Sequence, residues 1–160
     1  MSSVIESVTI FDPDRGLVGL RPGDVRWGYR DTDLREKGTV VECVLRLAEG
    51  DKRAIRRTMD ASLTRRKVSQ PLGVASAGSV FANPPGDSAG RLIETVGLKG
   101  ARCGGAEVSM VDANFIATRG GATAADVVEL VRRARAAVKD RYGIELRPEI
   151  RFLGSFDEAQ

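Results

Sequence analysis

The chain has 160 residues, of which 42% are hydrophobic and 29% charged, and its formal net charge is +3. These fractions match ordinary globular proteins, so they exclude wholesale disorder and predict a packed core. The mild, dispersed positive charge favours a small anionic ligand over nucleic acid, and the absence of histidine excludes a Ser-His-Asp triad and a zinc site with imidazole ligands.

The first half of the chain predicts three strands followed by a helix. Residues 5–20 form two strands joined by a turn at Asp12–Gly16, and a loop-rich stretch with one helical turn at Pro22–Val25 comes next. The alternating, β-branched stretch 39–50 predicts a third strand. From Asp51 to Lys67 the period is helical, with Asp51 as the cap and an arginine-rich face that we interpret as solvated.

The second half predicts a loop, two helices and further strands. Residues 68–87 break all periodicity, which indicates a domain boundary and a functional loop. A short helix begins at Asp87 or Ser88, and residues 106–118 hold one or two strands. Residues 123–143 predict the clearest helix, with a capping threonine, an apolar stripe and a closing glycine. Residues 144–154 alternate strictly and predict a last strand, so the fold class is α+β.

Three polar residues are candidates for chemistry, each with an ordinary alternative. Ser79 lies among small residues in SAGSVFANPPGD; spacing alone favours a loop serine that bonds its own backbone, and an active Ser79 would donate a proton or a hydrogen bond. Arg30 follows an aromatic residue, which suits an oxyanion clamp and equally a surface ion pair. Glu149 lies on the polar face of the last strand, where a solvated position is favoured. The glycine-rich stretch 97–105 fits no phosphate-binding motif and predicts a flexible connection.

Cysteine usage and hydropathy both favour a cytoplasmic protein. Cys43 and Cys103 form no CxxC motif, so we expect reduced thiols. Residues 1–12 lack the pattern of a signal peptide, and no apolar run approaches the ~20 residues of a membrane helix.

Six stretches between Gly28 and Gly154 combine into a family resemblance. They are GYRDT, QPLGVASAGSVFANP, AGRLIETVGLKGARCGGAEVS, ANFIAT, GATAADVVELV and GIELRPEIRFLG. In combination they make the chain resemble UDP-N-acetylenolpyruvoylglucosamine reductase, the flavoenzyme family of peptidoglycan precursor synthesis. The resemblance implies that reduced FAD passes a hydride to the enolpyruvyl group of UDP-N-acetylglucosamine-enolpyruvate, and that NADPH reduces the flavin again.

The resemblance also implies roles for individual residues. Ser79 falls on the family's serine proton donor, and Arg30 and Glu149 fall on the residues that stabilise the enolate-like intermediate. The remaining assignments are substrate contacts and one flavin contact: Tyr29, Asn83 and Lys67 for the substrate, with Lys67 near its diphosphate, and Arg151 for the flavin.

The sequence departs from the family pattern at single residues and over a whole region. Ala82 stands where the family usually has lysine, Asp112 where it has histidine, and Thr32 replaces a common serine, all of which bear on substrate contacts. The glycine-rich phosphate-binding loops of the FAD subdomain have no counterpart here. We therefore expect a C-terminal portion that does not retain FAD by itself and whose partner is the missing N-terminal half.

These observations predict a domain order and leave two alternative functions open. Residues 1–66 would be a partial FAD-binding domain, residues 67–147 a substrate-binding domain, and residues 148–160 a strand that returns to the flavin side. The alternatives are a non-catalytic module that binds a UDP-sugar or a protein, and a nucleic-acid interface on the basic helix Lys52–Lys67. We expect no nucleic acid, no membrane and no metal.

Overall fold

The structure is a computed structural model that describes residues 2–154. The chain forms two compact units that divide between Ile55 and Arg56, inside one long helix. The helices and antiparallel sheets of both units confirm the α+β class.

The first unit is built on a three-stranded antiparallel sheet with strand order β2-β1-β5. Its strands are β1 (Ile5–Asp12), β2 (Gly16–Leu20) and β5 (Thr39–Leu45). Alternation along β1 buries Val8 and Ile10, which pack with Val25 and Leu34 in a small apolar cluster. The predicted β1–β2 hairpin is confirmed, and the helical turn predicted at Pro22–Val25 is a 3₁₀ turn at Pro22–Asp24.

Between β2 and β5 lies a hairpin that the loop-rich sequence did not indicate. β3 (Trp27–Gly28) pairs with β4 (Asp31–Thr32), and a one-turn helix, α1 (Leu34–Lys37), follows. The third predicted strand is confirmed only as far as Leu45, because residues 46–50 have no regular structure.

A long helix, α2 (Lys52–Ser69), follows β5 as predicted, with the Asp51 carboxylate accepting from the Ala54 N–H at 2.8 Å. None of its residues is buried, and its apolar stripe Ile55, Met59 and Leu63 is about half exposed. Every residue of β5 is exposed as well.

The second unit combines a four-stranded antiparallel sheet with two helices. The strand order is β6-β9-β8-β7, with bounds Ala75–Ser79, Phe115–Thr118, Ala106–Val108 and Arg102–Cys103. α3 (Ala89–Thr95) and α4 (Ala124–Tyr142) cover one core whose largest fully buried side chains are Leu92, Ile93, Leu130, Val131, Val138 and Leu146. The glycine-rich stretch 97–105 is therefore wrongly predicted as a flexible connection, because it contains β7.

Both helices of this unit begin at their predicted caps. Ser88, and not Asp87, is the N-cap of α3, with its Oγ accepting from the Arg91 N–H. Thr123 and Asp126 form a reciprocal capping box on α4, and Gly143 closes the helix at a φ of 67°.

After α4 the chain does not form the predicted regular strand. Its contact with the sheet is an isolated antiparallel bridge between Phe81 and Pro148. The predicted alternation survives, since Ile144, Ile150 and Phe152 pack on the core. Residues 155–160 of the predicted strand lie outside the described residues.

Candidate functional site

Ser79 is presented by an irregular strand end and not by a loop. It is the last residue of β6 and pairs with Phe115, after a shift in register between Ser76 and Ser79. Gly78 adopts a φ of 86° within that shift, a conformation that favours glycine. The small residues that the sequence shows around Ser79 therefore allow a strand to bend without crowding the hydroxyl.

The three residues after Ser79 are held from both sides by hydrogen bonds. On one side Asn114 bonds the main chain of Val80 and Phe81. On the other side Ala82 N–H donates to Arg147 O at 2.9 Å, and Glu149 N–H donates to Val80 O at 2.8 Å. Because residues 80–82 are also buried, they fix the position of the Ser79 main chain that precedes them.

A cavity of about 400 Å³ opens beside Ser79. Asn83 lines it, and so do α3 and the turn before β9. The lining also includes Ser69, Ser88, Gly90, Arg91, Glu94, Asp112 and Asn114. Asn83 Oδ1 accepts from the Ala89 N–H at 3.0 Å, so this side chain also stabilises the start of α3. The structure thus brings Ser79 and Asn83 to one cavity.

The charges around this cavity are partly neutralised. Arg91 makes a two-pronged ion pair with Asp87, and the hydrogen bond from Arg91 is the main reason that the pKa of Asp87 lies below its ordinary value. Glu94 pairs with Lys99 at 2.9 Å, and Asp112 accepts from the Asn114 N–H at 2.9 Å. Cationic attraction for a diphosphate is therefore weak in the cavity itself.

A second, apolar cavity of about 350 Å³ lies in the same unit. Ala75, Ala77, Val80 and Ile150 line it, together with residues of β9 and α4. Since Ser79 lines the polar cavity and Val80 the apolar one, the end of β6 separates two different chemical environments.

Glu149 is only partly exposed, which corrects the interpretation of a solvated polar face. Its Oε1 atom is screened from solvent, whereas its neighbours Arg147 and Arg151 are exposed. The Glu149 N–H donates to Val80 O, next to the bridge between Phe81 and Pro148, so this residue is held against the segment that follows β6.

The comparisons with known proteins decide the family. The family model described as UDP-N-acetylenolpyruvoylglucosamine reductase, C-terminal domain, matches residues 70–153, which is more than half of the chain. The chain belongs to the UDP-N-acetylenolpyruvoylglucosamine reductase family. The reductases of this family use FAD and NADPH.

Curated relatives and a solved structure agree with this assignment. A UDP-N-acetylenolpyruvoylglucosamine reductase of Moorella thermoacetica is 47% identical over 154 residues, which cover 96% of this chain and 51% of the relative. One of Symbiobacterium thermophilum is 44% identical and covers 96% and 50%. The crystal structure of the Thermus caldophilus enzyme superposes with a TM-score of 0.77 at 40% identity, over 91% of this chain and 52% of that one. The chain thus spans about half the length of the reductases that it matches.

Tyr29 and Arg30 belong to the first unit and form the two-residue turn between β3 and β4. Both are exposed, and Arg30 has a φ of 55°, a left-handed conformation that is uncommon for a residue with a side chain. Asp31 forms ion pairs with Arg26 and Arg35. Arg30 is therefore a strained and exposed residue at the tip of the β3–β4 hairpin.

The other predicted site residues lie outside the cavity. Lys67 is exposed near the end of α2, whose contribution to the cavity lining is Ser69. Arg151 is exposed on the segment after α4. Sequence reasoning missed Asn114, since its partners are main-chain groups far away in the sequence. The one available signal was a polar residue between the apolar Ala113 and Phe115.

Two long helices of the described chain, α2 and α4, could offer an N-terminus to the diphosphate of FAD. A helix N-terminus is a ready anion site only while its N–H groups are available. The first turn of α2 is capped by Asp51, and that of α4 by Thr123 and Asp126. One first-turn N–H of each helix is thus engaged, and the Asp51 and Asp126 carboxylates would repel a second anion, so neither of these two helix N-termini fits the cofactor's diphosphate.

Proposed function

We propose that this chain is the substrate-binding and proton-donating portion of a UDP-N-acetylenolpyruvoylglucosamine reductase. The complete enzyme would reduce the enolpyruvyl group of UDP-N-acetylglucosamine-enolpyruvate to give UDP-N-acetylmuramate for peptidoglycan synthesis. The observation that carries the proposal is the position of Ser79. It lines one cavity together with Asn83, and both residues lie in the region that the family model matches.

The chain's own residues suit the protonation half of this reaction. Addition of a hydride to one alkene carbon leaves negative charge on the carbon next to the carboxylate, and the Ser79 O–H donates a proton there. Ser79 needs no histidine, because it acts as an acid and is protonated again from solvent. Glu149 and Arg30 stabilise the enolate-like intermediate, while Tyr29, Asn83 and Lys67 bind the substrate and Arg151 contacts the flavin.

The missing cofactor cradle would come from the half of the family fold that this chain does not match. An open, exposed edge strand is a surface that other chain segments bind. β5 has this character, since Val40, Val41, Val44 and Leu45 are all more than 40% exposed. We therefore infer a partner that carries the FAD-binding subdomain and covers this edge.

The proposed substrate and reductant also indicate a compartment. UDP-sugars and NADPH are cytoplasmic metabolites, so we place the activity in the cytoplasm. Among residues 2–154, no helix combines the length and apolar character needed to span a membrane. The same range contains no group of three or more His, Cys, Asp or Glu side chains suited to a metal ion.

The test compares the chain alone with the chain joined to the unmatched portion of the Moorella thermoacetica relative. We expect the isolated chain to retain no stoichiometric flavin after purification and in a flavin titration. We expect the joined protein to bind FAD and to be reduced by NADPH. Substrate reoxidation of the flavin, followed by stopped-flow absorbance, should then proceed; its absence would contradict the proposed activity and favour a UDP-sugar binding module.

Ser79→Ala in the joined protein tests the proton donor directly. Flavin reduction by NADPH should be unchanged, whereas reoxidation by substrate should slow by ~10²–10⁴-fold. Ser76→Ala is the matched control, because Ser76 lies on the same strand but lines the apolar cavity. Equal slowing of both half-reactions in Ser79→Ala would show that Ser79 only shapes the strand.

A further inference from the structure

Asn114 is a buried residue beside the site, and both polar atoms of its side chain make hydrogen bonds to the main chain. It is 6% exposed, and it lines the polar cavity at the residue before β9 begins. Its main-chain oxygen accepts from Val80 N–H at 2.7 Å. Its side-chain Oδ1 accepts from Phe81 N–H at 2.9 Å, and its Nδ2 donates to Phe81 O at 2.8 Å.

These bonds continue the sheet beyond the point where the strands stop pairing. The regular ladder between β6 and β9 ends at Ser79 and Phe115. From there the Asn114 side chain replaces a strand, because one amide offers the same acceptor and donor as a main-chain peptide. The segment that follows Ser79 is therefore still bonded to the residue before β9, although the β6–β9 ladder does not continue.

The same segment connects Ser79 with Glu149. Val80 donates its N–H to Asn114 and accepts from the Glu149 N–H, so one residue receives both constraints. We propose that Asn114 is a positioning residue for the reaction: its amide fixes Val80 and Phe81, and thereby the placement of the Ser79 hydroxyl relative to the Glu149 carboxylate. This inference rests on the proposed function for its catalytic consequence but not for the clamp itself.

The proposal requires an amide and not merely a side chain of that size. Asn114→Ala leaves the Phe81 N–H and C=O buried without the side-chain partners, whereas Asn114→Asp keeps the acceptor and loses the donor at neutral pH. Burial raises the pKa of the new carboxyl group. Once protonated, that group is an isostere of the amide and donates to Phe81 O again.

Other charged groups lie around the cavity or on the segments bonded to Val80, and they act on this titration. Asp112 lies in the same turn, Glu94 and Arg91 reach the cavity from α3, and Glu149 lies on the segment beyond Val80. Two or more carboxylates near a new carboxyl group raise its pKa further, and Arg91 is already engaged by Asp87. The clamp of Asn114→Asp should thus be restored on the acidic side of neutral pH.

The first experiment uses the 160-residue chain alone and measures amide hydrogen exchange by NMR. Asn114→Ala should accelerate exchange at Phe81 by about tenfold relative to the amides of α4, the factor expected from loss of one typical hydrogen bond. Val138→Ala is the control, because it creates a core defect in α4 away from the clamp. It should accelerate exchange throughout the unit. Uniform acceleration in Asn114→Ala would overturn the clamp.

The second experiment measures turnover in the joined protein. Asn114→Ala and Asn114→Asp should lower kcat by ~10²-fold at neutral pH with a smaller change in KM, because misplacement of a catalytic group by about 1 Å has this effect. The deficit of Asn114→Asp relative to wild type should shrink as the pH falls, whereas that of Asn114→Ala should not. A pH-independent deficit in Asn114→Asp, or unchanged kcat in both, would overturn the positioning role. If Ser79→Ala did not slow reoxidation of the flavin by substrate, the proposed function would be overturned. The hydrogen-exchange result would still stand in that case.

Discussion

Gly90→Ala should destabilise the second unit through one displaced carboxylate. Gly90 is the second residue of α3, and a Cβ there would lie 2.6 Å from Asp112 Oδ1. That oxygen accepts the Asn114 N–H at 2.9 Å, so the Asp112 side chain cannot move away without losing the bond. The nearest Asn114 atoms lie at 3.6 Å from the new Cβ, which is ordinary contact.

Two opposing contributions determine the size of the effect. Alanine in place of glycine stabilises a helix by about 0.5–1 kcal/mol, with the lower value suited to a first turn. A buried N–H that loses its partner costs about 1–3 kcal/mol. The free energy of unfolding should therefore fall by about 0.5–2.5 kcal/mol.

An Asp112→Ala background separates the two contributions. With the carboxylate removed, the added Cβ meets no close neighbour. The gain in helix stability from replacing glycine by alanine then remains, so Gly90→Ala should raise the free energy of unfolding by about 0.5 kcal/mol. Urea unfolding followed by far-UV circular dichroism measures both backgrounds. Fluorescence of Trp27, the single tryptophan, reports the first unit and should not change. Equal destabilisation in both backgrounds, or none in the wild type, would refute the reasoning.

Three further expectations concern a carboxylate, a helix cap and a strained turn. Hydrogen bonds from Arg132 and then Arg133 lower the pKa of Glu129 from an ordinary 4.5 to about 2. The contribution of this carboxylate to stability is therefore present above pH 4.5 and is lost as the pH falls through about 2. NMR titration of the Glu129 carboxyl carbon should show the low midpoint, and an ordinary midpoint would contradict it. Thr123→Ala should lower the stability of the second unit by about 1 kcal/mol in urea unfolding, because it removes the hydroxyl of the capping box. Arg30→Gly should stabilise the first unit by about 1 kcal/mol in the Trp27 transition, since it relieves the left-handed φ, while lowering turnover of the joined protein; stability that falls instead would exclude strain at this turn.

The sequence predicts best those elements whose signals are local. α4 has its cap, its apolar stripe and its closing glycine within the helix itself, and its predicted limits agree with the structure. β6 has no such signal, because Ala-Ser-Ala-Gly-Ser lacks the β-branched alternation of a strand. It becomes a strand through pairing with β9, which comes much later in the sequence.

The candidate site follows the same rule. The family motif indicates Ser79 and Asn83, and the structure places both at one cavity. The roles of Glu149 and Asn114 depend on contacts with Val80 and Phe81 across the sheet, which no local pattern reports. The domain limits and the roles of all the predicted site residues stay predictions: Ser79, Arg30, Glu149, Tyr29, Asn83, Lys67 and Arg151.

The order of contacts around Val80 has a consequence for biosynthesis. A ribosome releases the chain from its N-terminus, so Ser79 emerges well before Asn114, and Asn114 well before the segment that bonds Val80 and Ala82 from the other side. When β6 first emerges, the residues after Ser79 therefore lack both the bonds to Asn114 and the bonds to Arg147 and Glu149. A chain whose synthesis stalls within α4 would lack the Arg147 and Glu149 bonds, and only later elongation would complete the geometry. Incomplete translation products would thus carry the serine without the arrangement that we assign to it.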